Sequence, residues 1–217
     1  MKKLMTIITI IFIIVSISLG LPKVKTSIQQ KHIANKLIRF HVIANSDMVY
    51  DQKLKLEVKD SILQYISPKL QKSKSIDESR KIIKNNDRAI KEIANKIIKK
   101  NGYDYSVNTT LSYENFPVKT YGNVSLPQGK YEAYRIIIGK GEGQNWWCVM
   151  FPPLCFIDIT KGQIAYNETE KEMKSVLTEN EYKAIDNRIE NDKVNYNKDK
   201  KIKMKFKILE IAENIFK

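Results

Sequence analysis

This chain of 217 residues is poor in the side chains that most site chemistry is built from: it has two cysteines, two histidines and two tryptophans. A structural zinc site takes four Cys or His ligands and a catalytic one three, so neither a metal nor a cofactor is expected. No His-Glu-x-x-His, no Gly-x-Ser-x-Gly and no P-loop occurs. Zinc-finger spacing is absent and the basic residues are scattered along helical faces, so nucleic acid is not an expected partner. No internal repeat or low-complexity block is present. Acidic residues are also in deficit, 24 against 38 Lys and Arg, a net charge of +14. That excess predicts attraction to an anionic membrane or wall surface and says nothing about the fold.

The first residues carry an export signal. Lys2 and Lys3 precede an uncharged, isoleucine-rich run from Leu4 to Leu21. Charge before an apolar run fits a secretory signal peptide, with Ser18 and Gly20 as small residues near a cleavage point. The run is also long enough to span a bilayer, so an uncleaved anchor with its basic end in the cytoplasm fits as well. Residues 1–22 are therefore read as signal peptide or anchor, 23–36 as a linker, 37–160 as the exported domain, and 161–217 as a basic, partly helical tail. The tail is expected to add surface affinity rather than folding energy.

Within the domain, Leu37 to Ala44 alternates as a half-buried strand, with Ile38, Phe40 and Val42 inward and Arg39, His41 and Ile43 outward. Leu54, Val58, Ile62 and Ile66 then recur at helical spacing up to Pro68. A second helix opens at Ser75-Ile76-Asp77-Glu78, a capping-box pattern, and stops at Asn101-Gly102. Asn85-Asn86-Asp87 is a candidate interruption. Tyr103 to Tyr113 alternates as a one-sided strand, Glu114-Asn115 reads as a turn, and Pro117 marks an edge position. Tyr131 to Ile138 and Asn145 to Phe151 are the two most apolar strands, joined by a glycine-rich link that predicts a hairpin. Ile202 to Phe216 is ambiguous between helix and strand, with helix favoured. The architecture these elements predict is a two-layer α+β domain, a mainly antiparallel meander with two helices on one face.

The stretch NWWCVMFPPLCFID, Asn145 to Asp158, holds both tryptophans and both cysteines. It reads as a central core strand stopped by Pro152-Pro153, with Trp146 or Trp147 as a rival candidate for a partner anchor. Cys148 and Cys155 fit either a disulfide or two buried thiols. An enzymatic alternative is an extracytoplasmic hydrolase, acting on the cell wall or of a Cys/His type that would use Cys148 as thiolate, His41 as base and Glu132 to orient it. A mid-strand thiol is more often inert packing. Gly139, Gly141 and Gly143 lack the following helix that a phosphate cradle needs, so they read as hairpin hinges. Candidate partner-binding residues are His41, Asn45 and Asp47 at the end of the first strand, Glu142 in the glycine loop, and Asn145, Trp146 and Trp147.

Three blocks in one order, LIRFHVIANSD from Leu37, FPVKTYG from Phe116 and YEAYRIIIGKGEGQNWWCVMFPPLCFID from Tyr131, resemble the stage II sporulation protein R family. The resemblance runs from about His32 to Asp158 and leaves out the basic tail. It implies a forespore signalling protein exported into the space between the forespore and mother-cell membranes. There it would activate a membrane-embedded aspartic protease that removes the pro-sequence of a mother-cell sigma factor. It carries over no catalytic residues.

Overall fold

The computed structural model describes residues 28–188. The apolar run at the N-terminus and the segment Ile202 to Phe216 lie outside the described residues. The domain is built on a four-stranded mixed sheet in the order β2-β5-β1-β6. These strands are β1 (Ile38–Ile43), β2 (Val107–Phe116), β5 (Gly129–Ile138) and β6 (Asn145–Phe151). β1 runs parallel to β5 and antiparallel to β6, and β2 runs antiparallel to β5.

The expected meander and the expected hairpin are both corrected by this order. β1 is inserted between β5 and β6, and the tryptophan strand is an edge strand. The reason lies in β1 itself, which is buried on both faces: Ile38, Phe40 and Val42 are fully buried, and so are Arg39 and, nearly, His41. A strand covered on both sides belongs in the middle of a sheet, and a parallel pair is normally covered on both faces.

Two helices cover the first face, α1 (Val49–Leu70) and α2 (Ile76–Lys100). α1 turns Leu54, Val58, Ile62, Ile66 and Leu70 inward, four residues apart, against Phe40, Tyr134 and Met150 of the sheet. Burying each such side chain contributes about 1.5–3 kcal/mol. Pro68 does not close α1. It sits in the last turn, and the helix continues to Leu70, with Gln71 N–H bonding Ser67 O at 3.0 Å.

α2 begins as expected, with Ser75 Oγ accepting from Glu78 N–H at 3.2 Å. It ends as expected too, at Asn101 and a left-handed Gly102 with φ 81°. Asn85-Asn86-Asp87 does not interrupt it. Asn86 donates to Ile82 O at 2.7 Å and accepts from Tyr65 Oη at 2.7 Å, and Asp87 accepts from Thr109 and Tyr134, so these polar groups fasten α2 to its neighbours.

The opposite face is covered too, so helices lie on both sides rather than one. The cover consists of residues 28–34, which are helical, the hairpin β3 (Lys119–Tyr121) and β4 (Val124–Leu126), and the helices α3 (Gln163–Val176) and α4 (Glu179–Lys183). Ile33, Ala34 and Leu37 pack there with Tyr131, Ala133 and Val149 of the sheet. Residues read as linker therefore contribute to the core.

So do residues read as tail: Met173, Leu177, Tyr182 and Ile185 belong to the same cluster. Ser125 N–H bonds Ile185 O at 2.8 Å, and Lys36 Nζ reaches Glu181 at 2.7 Å. The helical part of the C-terminal segment is packed into the domain. Thr178 and Glu181 form the capping box that opens α4. Glu114 and Asn115 are not a turn. They continue β2, opposite Tyr131 and Lys130.

Candidate recognition site

Two loops that the sequence separates by about ninety residues meet at the end of β1. The link from β5 to β6 passes over the end of β1 instead of turning directly back. Gly143 N–H bonds Ala44 O at 3.0 Å and Glu142 N–H bonds Asn45 O at 3.2 Å. Asn45 Oδ1 accepts from Lys140 N–H at 3.0 Å, and Asp47 Oδ1 accepts from Gln144 N–H at 2.7 Å.

The glycines are needed for this approach rather than as hinges. A side chain on Gly143 would meet the carbonyl of Ser46, and one on Gly139, φ 58°, would meet the Asn45 amide. Asp51 anchors the junction from beneath, accepting from Ser46 Oγ at 2.6 Å and Asn45 Nδ2 at 2.8 Å. Burial raises its carboxyl pKa, but hydrogen bonds from Ser46, Asn45 and Tyr105 outweigh burial and hold it below the ordinary range. Asn45 and Asp47 thus spend their polar groups on holding loops together, while Glu142 presents its side chain to solvent.

His41 is not part of this cluster. It is 5% exposed and lies mid-strand on the second face, stacked on Trp147 with centroids 4.7 Å apart and near Phe116 at 5.3 Å. Burial, with help from the charge of Arg135, lowers its pKa to about 4, so the ring is neutral at neutral pH. Trp147 is held between His41 and Phe116, with Lys119 Nζ 5.5 Å from its ring. Trp146 points to the first face, edge-on to Phe40 at 6.0 Å, with Lys59 Nζ 4.8 Å away. Both indoles are half-buried parts of the packing on opposite faces. Asn145 opens β6 opposite Ile43, also half-buried.

The Cys148, His41 and Glu132 constellation does not assemble. Cys148 faces the helices on the first face and is joined in a disulfide to Cys155, Cα to Cα 5.5 Å, while His41 faces the other way. Glu132 is held in a two-pronged ion pair by Arg80, at 2.7 and 2.8 Å. Among the described residues no cluster of His, Cys, Asp and Glu is placed to hold a metal ion, and no helix is long and apolar enough to cross a membrane.

Two features were not singled out from the sequence. Arg39 is fully buried, its guanidinium 4.3 Å from the Phe116 ring and 4.9 Å from the Tyr131 ring, with Nη2 donating to Tyr121 Oη at 3.0 Å. Burial lowers its pKa, and the aromatic faces stand in for a carboxylate. The second feature is an apolar tip on the first turn of α1, where Met48, Val49 and Tyr50 are 56, 85 and 48% exposed. Tyr50, Tyr103 and Tyr105 stack in sequence beside it, at 6.1 and 5.2 Å. The tip was legible in part: Met48 and Val49 fall out of phase with the Leu54, Val58, Ile62 stripe, whereas Tyr50 is in phase with it and lies exposed at the helix start.

Fold and site together define an α+β domain on a mixed sheet, closed at one end by interlocked loops. Comparison with known proteins places that domain: the chain belongs to the stage II sporulation protein R family, whose model matches residues 34–161. Over its whole length it is 34% identical to the stage II sporulation protein R of Bacillus subtilis (strain 168), of which it covers 100%. No solved structure matches it.

Proposed function

We propose that this sporulation protein is an exported signal that activates a membrane-embedded aspartic protease by stoichiometric binding, leading to processing of a pro-sigma factor. In this reading the domain lies in the space between the forespore and mother-cell membranes, and its net charge of +14 favours residence near an anionic surface. The observation that carries the binding mode is the separation of the reactive groups. Cys148 is bonded to Cys155 on one face of the sheet and His41 is packed on the other, which leaves the nucleophile and base of a Cys/His hydrolase apart. A non-catalytic activator works by binding the active state of its receptor more tightly than the inactive one, so its effect saturates with concentration.

The test is protease activation in a reconstituted membrane, titrated with the chain and with folded His41→Ala and Cys148→Ser variants. A binding switch predicts curves that reach full activation at stoichiometric or higher concentration. A variant that still binds the protease but activates nothing at saturation would establish the enzymatic reading in its place.

A further inference from the structure

We infer that the free edge of β2 is the docking site, and that its occupant is an extended segment of the partner protein, added as a fifth strand in the groove between β2 and α2. The inference rests on the proposal that the chain acts by binding, and it assigns that binding a surface.

β2 is the terminal strand of the sheet and pairs with β5 through all ten of its residues without a register shift. Gly139 N–H bonds the carbonyl of Ser106, the residue directly opposite it in the same register. In an antiparallel pair, residues that exchange bonds alternate with residues that do not. The even-numbered residues of β2 therefore direct their backbone groups to β5. The odd-numbered ones, Val107, Thr109, Leu111, Tyr113 and Asn115, direct theirs outward. Among the described residues no backbone group bonds to this outer row.

Natural edge strands are usually blocked by lysine, proline, a bulge or a covering segment. The β2 sequence VNTTLSYENF has no lysine, proline or glycine and runs without a bulge. The opposite edge differs in kind: β6 is bulged near Arg39, and the disulfide folds the turn Leu154–Phe156 back on its end. Of the two edges, β2 alone runs regular along its whole length, and among the described residues nothing pairs with it.

The open edge has a groove beside it, walled by Ile83, Lys84 and Asp87 of α2 and by Thr109 and Leu111 of β2, with Tyr134 as its floor. A strand added to β2 would place every second side chain in this groove, the arrangement by which extended peptides are read on sheet edges. Half-buried Leu111 offers an apolar contact there, with Ile83 and Tyr134 buried behind it. Asp87 is already engaged by Thr109, Tyr134 and Lys91. Lys84 forms no ion pair among the described residues, which leaves a cation on the helix side. The complementary segment is thus extended, apolar at one groove position and acidic at the position facing Lys84.

The experiment uses the full chain with the membrane-embedded protease in nanodiscs of phosphatidylethanolamine and phosphatidylglycerol, read by residue-resolved amide hydrogen exchange. Complex formation is expected to slow exchange at the odd-numbered amides of β2 and to leave the even-numbered ones unchanged. In parallel, Tyr113→Pro removes one outward N–H at a position 57% exposed, while Tyr113→Ala keeps it. The proline variant is expected to bind about tenfold more weakly or worse, and the alanine variant within about twofold of the parent. Lys84→Glu is expected to weaken binding as well.

Binding with no added protection on β2, or equal losses for the two Tyr113 variants, overturns the edge assignment and leaves the binding reading intact. No binding at all overturns both. Protection of the odd amides in the isolated chain that grows with its concentration identifies a second copy as the occupant and overturns the partner segment.

Discussion

His41 and Trp147 stack ring on ring across the β1–β6 pair, centroids 4.7 Å apart and planes 9° from parallel. The stack makes the fold sensitive to acid. His41 is packed against Phe116 and lies near the positive charges of Arg135 and Arg39, which the negative charge of Glu114 opposes. Its pKa falls from 6.5 in the unfolded chain to about 4 in the fold. Between those values the unfolded state binds the extra proton, so this contribution to stability is full above the upper value and is lost as pH falls toward the lower one. The loss is on the order of 3 kcal/mol, and His41→Phe is expected to flatten it. Urea unfolding midpoints across that pH interval check it. Equal slopes for parent and variant would remove His41 as the cause.

The loop junction predicts a contrast between glycines. Gly143→Ala would drive a methyl group into the Ser46 carbonyl, whereas Gly102→Ala, at φ 81°, meets nothing. The first is expected to cost about 2–4 kcal/mol and the second about 1 kcal/mol, both read from chemical denaturation.

The packed C-terminal helices predict that removing them exposes a core. Met173 is fully buried and Tyr182 nearly so, with its hydroxyl accepting from Asn123 at 2.9 Å and its pKa pushed up to about 12, mainly by burial. Met173→Ala is expected to cost about 2–5 kcal/mol. Truncation after Gly162 is expected to lower the melting temperature far more than that single change. A truncated chain with the parent's melting temperature would show that α3 and α4 contribute no stability.

The disulfide closes a short loop, with a sequence separation of 7 residues. Cys155→Ser is expected to cost about 2 kcal/mol of stability. Half-maximal protease activation should stay within about twofold of the parent once the variant is folded, since binding rather than thiol chemistry is the proposed activity.

Local structure was legible in the sequence where one residue type has one physical use. Ser75 and Glu78 opened α2, and Asn101-Gly102 closed it. Strand order was not legible, because adjacency in sequence favours a β5–β6 hairpin and nothing local reveals that β1 lies between them. β1 concealed its second buried face because the residues there are arginine and histidine, which read as outward-facing and are interior here through the aromatic rings packed on them. The polar loops around Asn45 and Gly139 were both singled out, but their mutual bonding follows from the crossover and could not be read before the strand order was known.

That crossover also bears on when the chain can fold. β1 is an early segment, yet its partners are Glu132 to Ile137 on one side and Asn145 to Phe151 on the other. Its ladders close only after almost the whole domain has emerged from the ribosome, and such long sequence separation slows sheet formation. For a protein proposed to be threaded across a membrane, the late arrival of the partners of β1 is useful. On the proposed export route, the four-stranded sheet closes only once the tryptophan strand has followed β1 across the membrane.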